Sequence, residues 1–170
     1  PIAGREHAGV EAACLDLFRN KSVVLTPAEY TESSATERVS AMWRNTGAVV
    51  QCLDAGVHDR ILAATSHLPH IVAYALVDFL AQQEEAELLF ELAAAGFYDF
   101  TRIASSDPIM WRDICLTNRE AIVHVLEGYR ANIDRLLDSI QSGDGDALHA
   151  CFERSRHARD RGLKSKTKSG

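Results

Sequence analysis

The sequence lacks the short motifs by which many nucleotide-binding and hydrolytic enzymes are recognised. It contains no GxGxxG or GxxxxGK loop, so we expect this chain by itself to hold no dinucleotide cofactor at a helix N-terminus. It also contains no GxSxG and no HExxH. These absences argue against a complete dehydrogenase, a serine hydrolase or a zinc protease within these 170 residues.

Cysteine is scarce and is not grouped in a metal-binding pattern. The four cysteines lie far apart, with no CxxC pair and no histidine at ligand spacing. They are typical of small, reduced core residues in a cytoplasmic protein. His67 and His70 could share a helix face and bind a metal, but Pro69 between them and the lack of a third ligand argue against it. We therefore predict no metal site.

Positive charge is in deficit, with 18 Lys and Arg against 24 Asp and Glu and a net charge of -6. This balance argues against nucleic acid as a partner. No apolar run approaches bilayer length and no signal sequence is recognisable, so we expect no membrane association. Basic residues crowd only the C-terminus, where residues 163–170 are interpreted as a disordered, solvated tail, with an arm that binds nucleic acid as the less favoured alternative. Because the chain begins at Pro1 and not Met, we expect a processed product or an excised domain.

Two β-branched runs lie within the first 53 residues. Residues 22–27 end at a proline and residues 48–53 follow Gly47, and both are typical of strands. Between them, Ser33 or Ser34 could cap a helix that Gly47 ends. The order of strand, helix and strand predicts a parallel pair. Because two strands rarely form a stable sheet alone, residues 1–53 are interpreted as the edge of a larger α/β domain.

Helical periodicity replaces the strand signal over residues 54–162, so the chain is predicted to be mainly α. A loop is expected at residues 93–96. Helices are expected over residues 58–66, from Pro69 through Leu80, from the Asp107-Pro108 cap to Gly143 with or without a break, and over residues 147–161. Such apolar helices exceed what a thin bundle can cover, which predicts a homodimer.

Two imidazoles, a guanidinium and an indole are the residues most suggestive of a binding site. His67 and His70 precede Arg102 and Trp111 on separate predicted helices. Together they could bind a small, doubly negative acid that contains a ring. The guanidinium would bind a carboxylate with two hydrogen bonds, the imidazoles would bind a hydroxyl or a second acid group, and the indole would provide a flat apolar surface. The alternatives are structural. The histidines could cap a helix start, Arg102 could pair with a surface acid, and Trp111 could lie in a core or an interface.

These segments together resemble the prephenate dehydrogenase family, which includes arogenate and cyclohexadienyl dehydrogenases. Residues 1–11, PIAGREHAGVE, are similar to the family's HPxAG-x-E-x-x-G-V segment without its leading histidine. The other matching segments are residues 17–27, 58–60 with 66–70, and 96–104 with 107–113. The resemblance runs over nearly the whole chain and keeps the family's order.

The resemblance implies a helical dimerisation and substrate-binding domain preceded by the last strands of a Rossmann-type nucleotide-binding domain. It implies an NAD- or NADP-dependent oxidative decarboxylation of prephenate to 4-hydroxyphenylpyruvate in tyrosine biosynthesis. A base takes the ring hydroxyl proton, hydride leaves the same carbon for the nicotinamide, and carbon dioxide is lost. The family's base would fall immediately before Pro1, so no catalytic residue and no cofactor site is expected in this chain, which should be inactive alone.

By the same resemblance, Arg102 would clamp a substrate carboxylate, which a planar guanidinium does better than lysine. The other substrate-binding residues would be Ser66, His67 and His70 in the pocket, Glu6 at its mouth, and Trp111 and Asp99 closing it. Arg5 and Ala95 depart from the family's usual residues, so the choice between prephenate and arogenate stays open. The competing hypothesis is a non-catalytic helical module that binds an aromatic acid or only dimerises.

Overall fold

The computed structural model describes residues 2–3, 10 and 13–167, with side chains through residue 164. The chain divides into two compact units, residues 1–125 and residues 126–170. Glu6, expected at the mouth of the pocket, lies outside the described residues, as does Arg5.

The first unit begins with a small parallel sheet. Strand β1, Ser22–Leu25, pairs in parallel with β2, Val49–Cys52, with Val23 opposite Val50. Helix α1, Ser33–Asn45, connects them. The predicted strand, helix, strand unit is therefore confirmed. Val23 is almost fully buried, as expected for a β-branched residue between a sheet and its crossover helix.

The two ends of α1 differ in how well the sequence predicted them. Gly47 adopts φ +82° just beyond the helix, the left-handed conformation that glycine adopts most easily. Its predicted role at the helix end is confirmed. The predicted serine cap is wrong, because Glu32 occupies the N-cap position and makes no side-chain capping bond.

One long helical stretch, residues 55–81, follows β2. It consists of α2, Ala55–Leu62, a π-helical segment, Ala63–His67, and α3, Leu68–Ala81. The expectation that a new helix begins at Pro69 is confirmed only in part, because α3 begins at Leu68 but is continuous with the π-helical segment before it. Proline removes one backbone donor and crowds the preceding turn, and here the wider π turn comes directly before it, with the Leu68 amide donating to the Ala63 carbonyl. The helix therefore continues through the proline.

By length and composition, this stretch is long and apolar enough to cross a membrane, contrary to our expectation that no segment approaches that length. Only 17% of its most apolar window is buried within the single chain. One such helix is weak evidence for a membrane protein, because core helices of globular proteins pass the same test. The exposed apolar surface is also what a helix covered by another subunit would show.

Two short helices occupy the segment after α3. Helix α4 spans Ala86–Glu91 and α5 spans Ala95–Thr101, followed by a 3-10 segment, Arg102–Ser105. The expected loop over residues 93–96 is therefore partly wrong, since α5 begins at Ala95. Alanine is the best helix former, and tertiary contact of α5 and the 3-10 segment with α3 favours the helix further.

A cap sets the start of the next helix, α6, Pro108–Thr117. The Asp107 carboxylate accepts hydrogen bonds from the backbone amides of Ile109 and Met110 at 2.7 and 3.3 Å. This confirms the predicted Asp-Pro helix start. The helix is interrupted at Asn118, whose backbone is not helical, and α7 then spans Arg119–Ser142.

The second unit contains the rest of α7, from Leu126, and α8, Gly145–Thr167. Gly143 adopts φ +67° after α7, and the Asp144 carboxylate accepts from the Ala147 amide at 2.9 Å. Helix α8 is longer than the expected 147–161, so residues 163–167 of the predicted disordered tail are helical. Leucine and lysine, which make up three of these five residues, are good helix formers.

The cysteines are free thiols, as expected, but they are not core residues in the single chain. Cys14 and Cys52 are exposed, and Cys115 and Cys151 are half-buried. Burial raises the pKa of the Cys115 thiol above its ordinary value.

We expect Asp107→Ala to lower the free energy of unfolding by about 1 kcal/mol, because two amides at the start of α6 lose their acceptor. Asp113→Ala is the matched control. Its carboxylate is exposed and pairs with the adjacent Arg112, so its removal should cost less than about 0.5 kcal/mol. Urea unfolding at one protein concentration measures both. Equal effects would show that the cap contributes nothing specific.

Candidate substrate-binding site

An imidazole stacks on the buried indole of Trp111. The ring centroids of His70 and Trp111 are 3.8 Å apart, with an angle of 21° between the rings. His67 meets the same indole edge-on, at 6.1 Å and 78°. Trp111 is 7% exposed. The structure thus brings three of the predicted site residues into one cluster.

The local folding of two helices explains this cluster. His67 and His70 are three residues apart on the continuous helix, so their side chains lie on one face. Trp111 is in the first turn of α6, whose position follows from the Asp107 cap and Pro108. The hydroxyl of Tyr74, one turn further along α3, donates to the Ser106 carbonyl at 2.6 Å. This bond holds the entry to α6 against α3.

Ser66 joins the cluster through its backbone. The Ser66 carbonyl accepts a hydrogen bond from Nδ1 of His70 at 2.8 Å. The bond spans one helical turn and fixes the ring of His70 where it covers the indole. Ser66 thus contributes a backbone acceptor whether or not its hydroxyl contacts a ligand.

The sequence reasoning missed Asn118, which connects α2 to the cluster. Its Nδ2 donates to the Asp59 carbonyl at 2.9 Å and lies 3.3 Å from Nδ1 of His67. Asp59 also accepts from Nδ1 of His58 through its carboxylate, at 2.9 Å. An asparagine just after a long apolar helical run was the available signal, since asparagine favours helix ends.

His67 is held in its neutral form by its surroundings. Burial lowers its pKa below the ordinary 6.5, and the neighbouring charges of His70 and His58 lower it further. The Asp59 carboxylate opposes these effects. At neutral pH the ring is therefore a neutral hydrogen-bonding group. Burial, with a smaller effect of Asp107, raises the pKa of the Tyr74 phenol, which keeps it a donor to Ser106.

Arg102 and Asp99 take part in none of the contacts described above. Arg102 begins the 3-10 segment that packs against α3, and its side chain is exposed. Asp99 lies in α5 and is also exposed. In the part of the chain that the structure describes, the Trp111 indole nitrogen is buried and has no hydrogen-bond partner. Such a donor normally has an acceptor, so an additional group near Trp111 is expected.

A cavity of about 490 Å³ lies beside this cluster, between α2 and the junction of α6 with α7. None of the predicted substrate-binding residues that the structure describes lines it. Asn118, whose amide reaches His67, is shared between the cavity and the cluster. The lining residues are Gly56, Asp59, Arg60, Leu116, Thr117, Asn118, Arg119, Glu120, Ala121 and His124.

Two family models match the chain. Residues 54–154 match the model described as "Prephenate dehydrogenase, dimerization domain", and residues 1–52 match the one described as "Prephenate dehydrogenase, nucleotide-binding domain". The chain therefore belongs to the prephenate dehydrogenase family, and the resemblance stated from its motifs is confirmed. The fold class, a helical domain after a Rossmann remnant, is confirmed as well.

Similar proteins agree with this assignment. The chain is 37% identical to a cyclohexadienyl dehydrogenase from Zymomonas mobilis, over 94% of this chain and 55% of that protein. It is 37% identical to a prephenate dehydrogenase from Bacillus subtilis, over 94% of this chain and 43% of that protein. The chain thus spans about half the length of these relatives.

A solved structure is similar over the same extent. It is the prephenate dehydrogenase of Aquifex aeolicus in complex with hydroxyphenyl propionate and NAD+. The TM-score is 0.87 and the identity 39%, covering 94% of this chain and 56% of that one. The chain is therefore similar to that protein in fold as well as in sequence.

The position of His67 gives stability a defined pH dependence. Its pKa in the folded chain lies below the 6.5 of an ordinary histidine, so the unfolded chain binds the proton first as the pH falls. The contribution of neutral His67 to the free energy of unfolding should be complete above pH 6.5. It should decrease as the pH falls toward the lower pKa of the folded state. Unfolding at about pH 7.5 and about pH 5.5, at one protein concentration, measures the loss.

The His67→Gln variant should lose less stability than the unsubstituted chain over the same pH interval. His149→Gln, which removes an exposed histidine of α8, is the control and should retain the full loss. If His67→Gln and His149→Gln show the same pH dependence, His67 does not contribute it.

Proposed function

We propose that the whole protein is a prephenate dehydrogenase and that this chain supplies its substrate-binding residues and its dimer contacts. The reaction would oxidise prephenate with NAD and release carbon dioxide to give 4-hydroxyphenylpyruvate in tyrosine biosynthesis. The observation that carries the proposal is the cluster of His67, His70 and Trp111. It lies within the residues matched to the family's dimerisation domain.

The cluster has the chemistry that an aromatic or pre-aromatic acid requires. Two imidazoles offer hydrogen bonds to hydroxyl and carboxylate oxygens, and His67 does so without a charge of its own at neutral pH. The buried indole supports the ring of His70 from below. Because Trp111 is so little exposed, its part in binding would be mainly to hold the imidazole of His70 in place. The hydrogen bond from His70 to the Ser66 carbonyl would hold the same ring.

Arg102 is proposed to bind a substrate carboxylate with two parallel hydrogen bonds. It follows α5 directly and lies on the 3-10 segment that packs against α3, the helix that carries His70. The proposal for Asp99 is that it helps to close the same pocket from α5. Glu6 is proposed at the pocket mouth on the strength of its motif alone.

The cofactor of the whole protein is proposed to be NAD, with NADP as the alternative. Support comes from the match of residues 1–52 to the nucleotide-binding domain and from the NAD+ complex of the Aquifex aeolicus protein. When bound, the nicotinamide would accept the hydride. The described residues include no glycine-rich phosphate loop, so none of them is assigned to the cofactor.

The substrate could also be arogenate, because the similar Zymomonas mobilis protein is a cyclohexadienyl dehydrogenase. The two acids differ in whether the side chain carries a keto or an amino group, and no described contact decides between them. We propose a cytoplasmic location, in keeping with a biosynthetic enzyme.

A homodimer is proposed because the second unit leaves apolar side chains uncovered. In α7, Ile133, Leu137 and Ile140 are 43%, 49% and 63% exposed. They recur every three to four residues, so they form one stripe along the helix. A stripe of this kind in a family whose domain is described as a dimerisation domain favours a second copy of this chain as the covering surface.

Arg102→Ala should raise the KM for prephenate by roughly 10- to 100-fold in the intact enzyme, because a charged hydrogen-bonding partner of a carboxylate is lost. Arg102→Lys should recover only part of the affinity, since an ammonium lacks the planar fork. The measurement is NAD(P)H formation at varied prephenate, repeated with arogenate.

Arg112→Ala is the matched control, because Arg112 is an exposed arginine that pairs with the adjacent Asp113. Its KM should stay near that of the unsubstituted enzyme. An unchanged KM in Arg102→Ala would exclude the carboxylate clamp, and an intact enzyme without activity on either acid would exclude the proposed function.

The full chain should sediment at about twice its 18.7 kDa. Leu137→Glu should shift it toward the monomer, since a charge in the centre of the α7 stripe would be buried on association. Asp134→Asn, a change at an exposed polar position of the same helix, should leave the dimer intact. A chain that sediments as a monomer at micromolar concentration would contradict the proposed assembly.

A further inference from the structure

We propose that Asn118 is a positioning residue that fixes His67 as the neutral imidazole protonated on Nε2, so that His67 and His70 offer opposite hydrogen-bonding atoms to one ligand. His67 would present a donor and His70 an acceptor. The inference deepens the proposed function and rests on it for the identity of the ligand. The tautomers themselves follow from the contacts of this chain.

The orientation of the Asn118 amide is determined by the backbone of α2. The Asp59 carbonyl can only accept hydrogen bonds, and the Asn118 amide atom at 2.9 Å from it must therefore be the nitrogen. The reverse orientation would place two acceptor oxygens against each other. The backbone carbonyl thus determines which atom of the amide is the nitrogen.

The tautomer of His67 follows from that orientation. The same Asn118 nitrogen lies 3.3 Å from Nδ1 of His67, and an amide nitrogen only donates. Nδ1 of His67 must then accept, so in the neutral ring the proton is on Nε2. A proton on Nδ1 would face the amide hydrogens and lose this bond.

His70 has the opposite arrangement. Its Nδ1 lies 2.8 Å from the Ser66 carbonyl, which can only accept. Nδ1 of His70 must therefore carry a proton, and in the neutral ring Nε2 is left with its lone pair. Two acceptor carbonyls, of Asp59 and Ser66, thus set the two rings of the cluster in different tautomers, one through Asn118 and one directly.

The contacts of the described residues occupy Nδ1 of both rings and leave Nε2 of both for a ligand. A donor from His67 suits a carboxylate or keto oxygen, whereas a lone pair on His70 suits a hydroxyl proton. A ligand with both groups, a hydroxy acid, satisfies the pair. An acid without the hydroxyl would leave the lone pair of His70 without a partner in the ligand, which disfavours such acids.

The break between α6 and α7 allows the side chain of Asn118 to contact two other segments. Its backbone is not helical, at φ -104° and ψ 34°, so the side chain can contact α2 and the π-helical segment together. The half-buried environment strengthens these polar contacts relative to bulk water.

Nitrogen NMR of the full chain labelled with ¹⁵N-histidine reads the tautomers directly. The chain has seven histidines, and the signals of the two rings are assigned with the variants His67→Gln and His70→Gln. We expect His67 to show a protonated Nε2 and a bare Nδ1, and His70 to show the reverse. His67 protonated on Nδ1, or both rings in one tautomer, would overturn the proposal whatever the enzyme's activity.

Two substitutions test the role of Asn118. In Asn118→Asp an acceptor replaces the donor, so the proton of His67 should move to Nδ1. In Asn118→Ala, the bond that favours the neutral ring is lost, so the pKa of His67 should rise toward its ordinary value. Thr117→Ala is the control, because among the described residues that hydroxyl donates to the carbonyls of Asp113 and Ile114, and His67 should keep its spectrum. If either folded Asn118 variant leaves His67 unchanged, Asn118 does not position it.

Kinetics of the intact enzyme separate this inference from the proposed function. We expect Asn118→Ala to raise KM about tenfold, the effect of one lost hydrogen bond to a charged group, with a smaller effect on kcat. A loss confined to kcat, with unchanged KM, would contradict a positioning role in binding. Expected tautomers in an enzyme that does not oxidise prephenate or arogenate would leave the assignment of the rings intact and refute only the proposed function.

Discussion

The stack of the His70 imidazole on the Trp111 indole is the contact on which the site depends, because it joins α3 to α6. Helix α3 itself contacts α4, α5 and the 3-10 segment. The stacked rings fix the start of α6 relative to α3. The hydrogen bond from Tyr74 to the Ser106 carbonyl supports the same arrangement. The π turn before Pro69 places His67 on the same indole. Without the stack, α3 and α6 would not be held together at the point where the imidazoles and Asn118 meet.

Backbone carbonyls set the hydrogen-bonding roles of the two rings in the cluster. The carbonyls of Ser66 and Asp59 act on the two rings, one directly and one through an amide. Burial favours the neutral form of His67. A neutral His67 supplies hydrogen bonds but no charge that would balance a substrate carboxylate. A single guanidinium, proposed at Arg102, would then suffice to orient the acid.

The sequence predicted those parts of the fold that depend on neighbouring residues. The Asp107 cap, the strands on either side of α1 and the left-handed Gly47 each follow from local chemistry. It also predicted that His67, His70 and Trp111 share a site, through motif resemblance. It could not predict the role of Asn118, because that residue contacts His67 from a segment some 50 residues away. It also missed the π turn, because a proline in a helical pattern more often indicates a helix boundary than a helix that continues. Helix α5 was missed because a run of small residues is compatible with a loop until α3 packs against it.

The central claim is that the ligand binds at the imidazole and indole cluster and not in the neighbouring cavity beside Arg60 and Arg119. A crystal structure of the intact protein with a hydroxyphenyl acid tests it most directly. The account predicts the acid beside Trp111, with oxygens within hydrogen-bond distance of Nε2 of His67 and His70. An acid held in the cavity by Arg60 and Arg119, with both imidazoles out of reach, would contradict it.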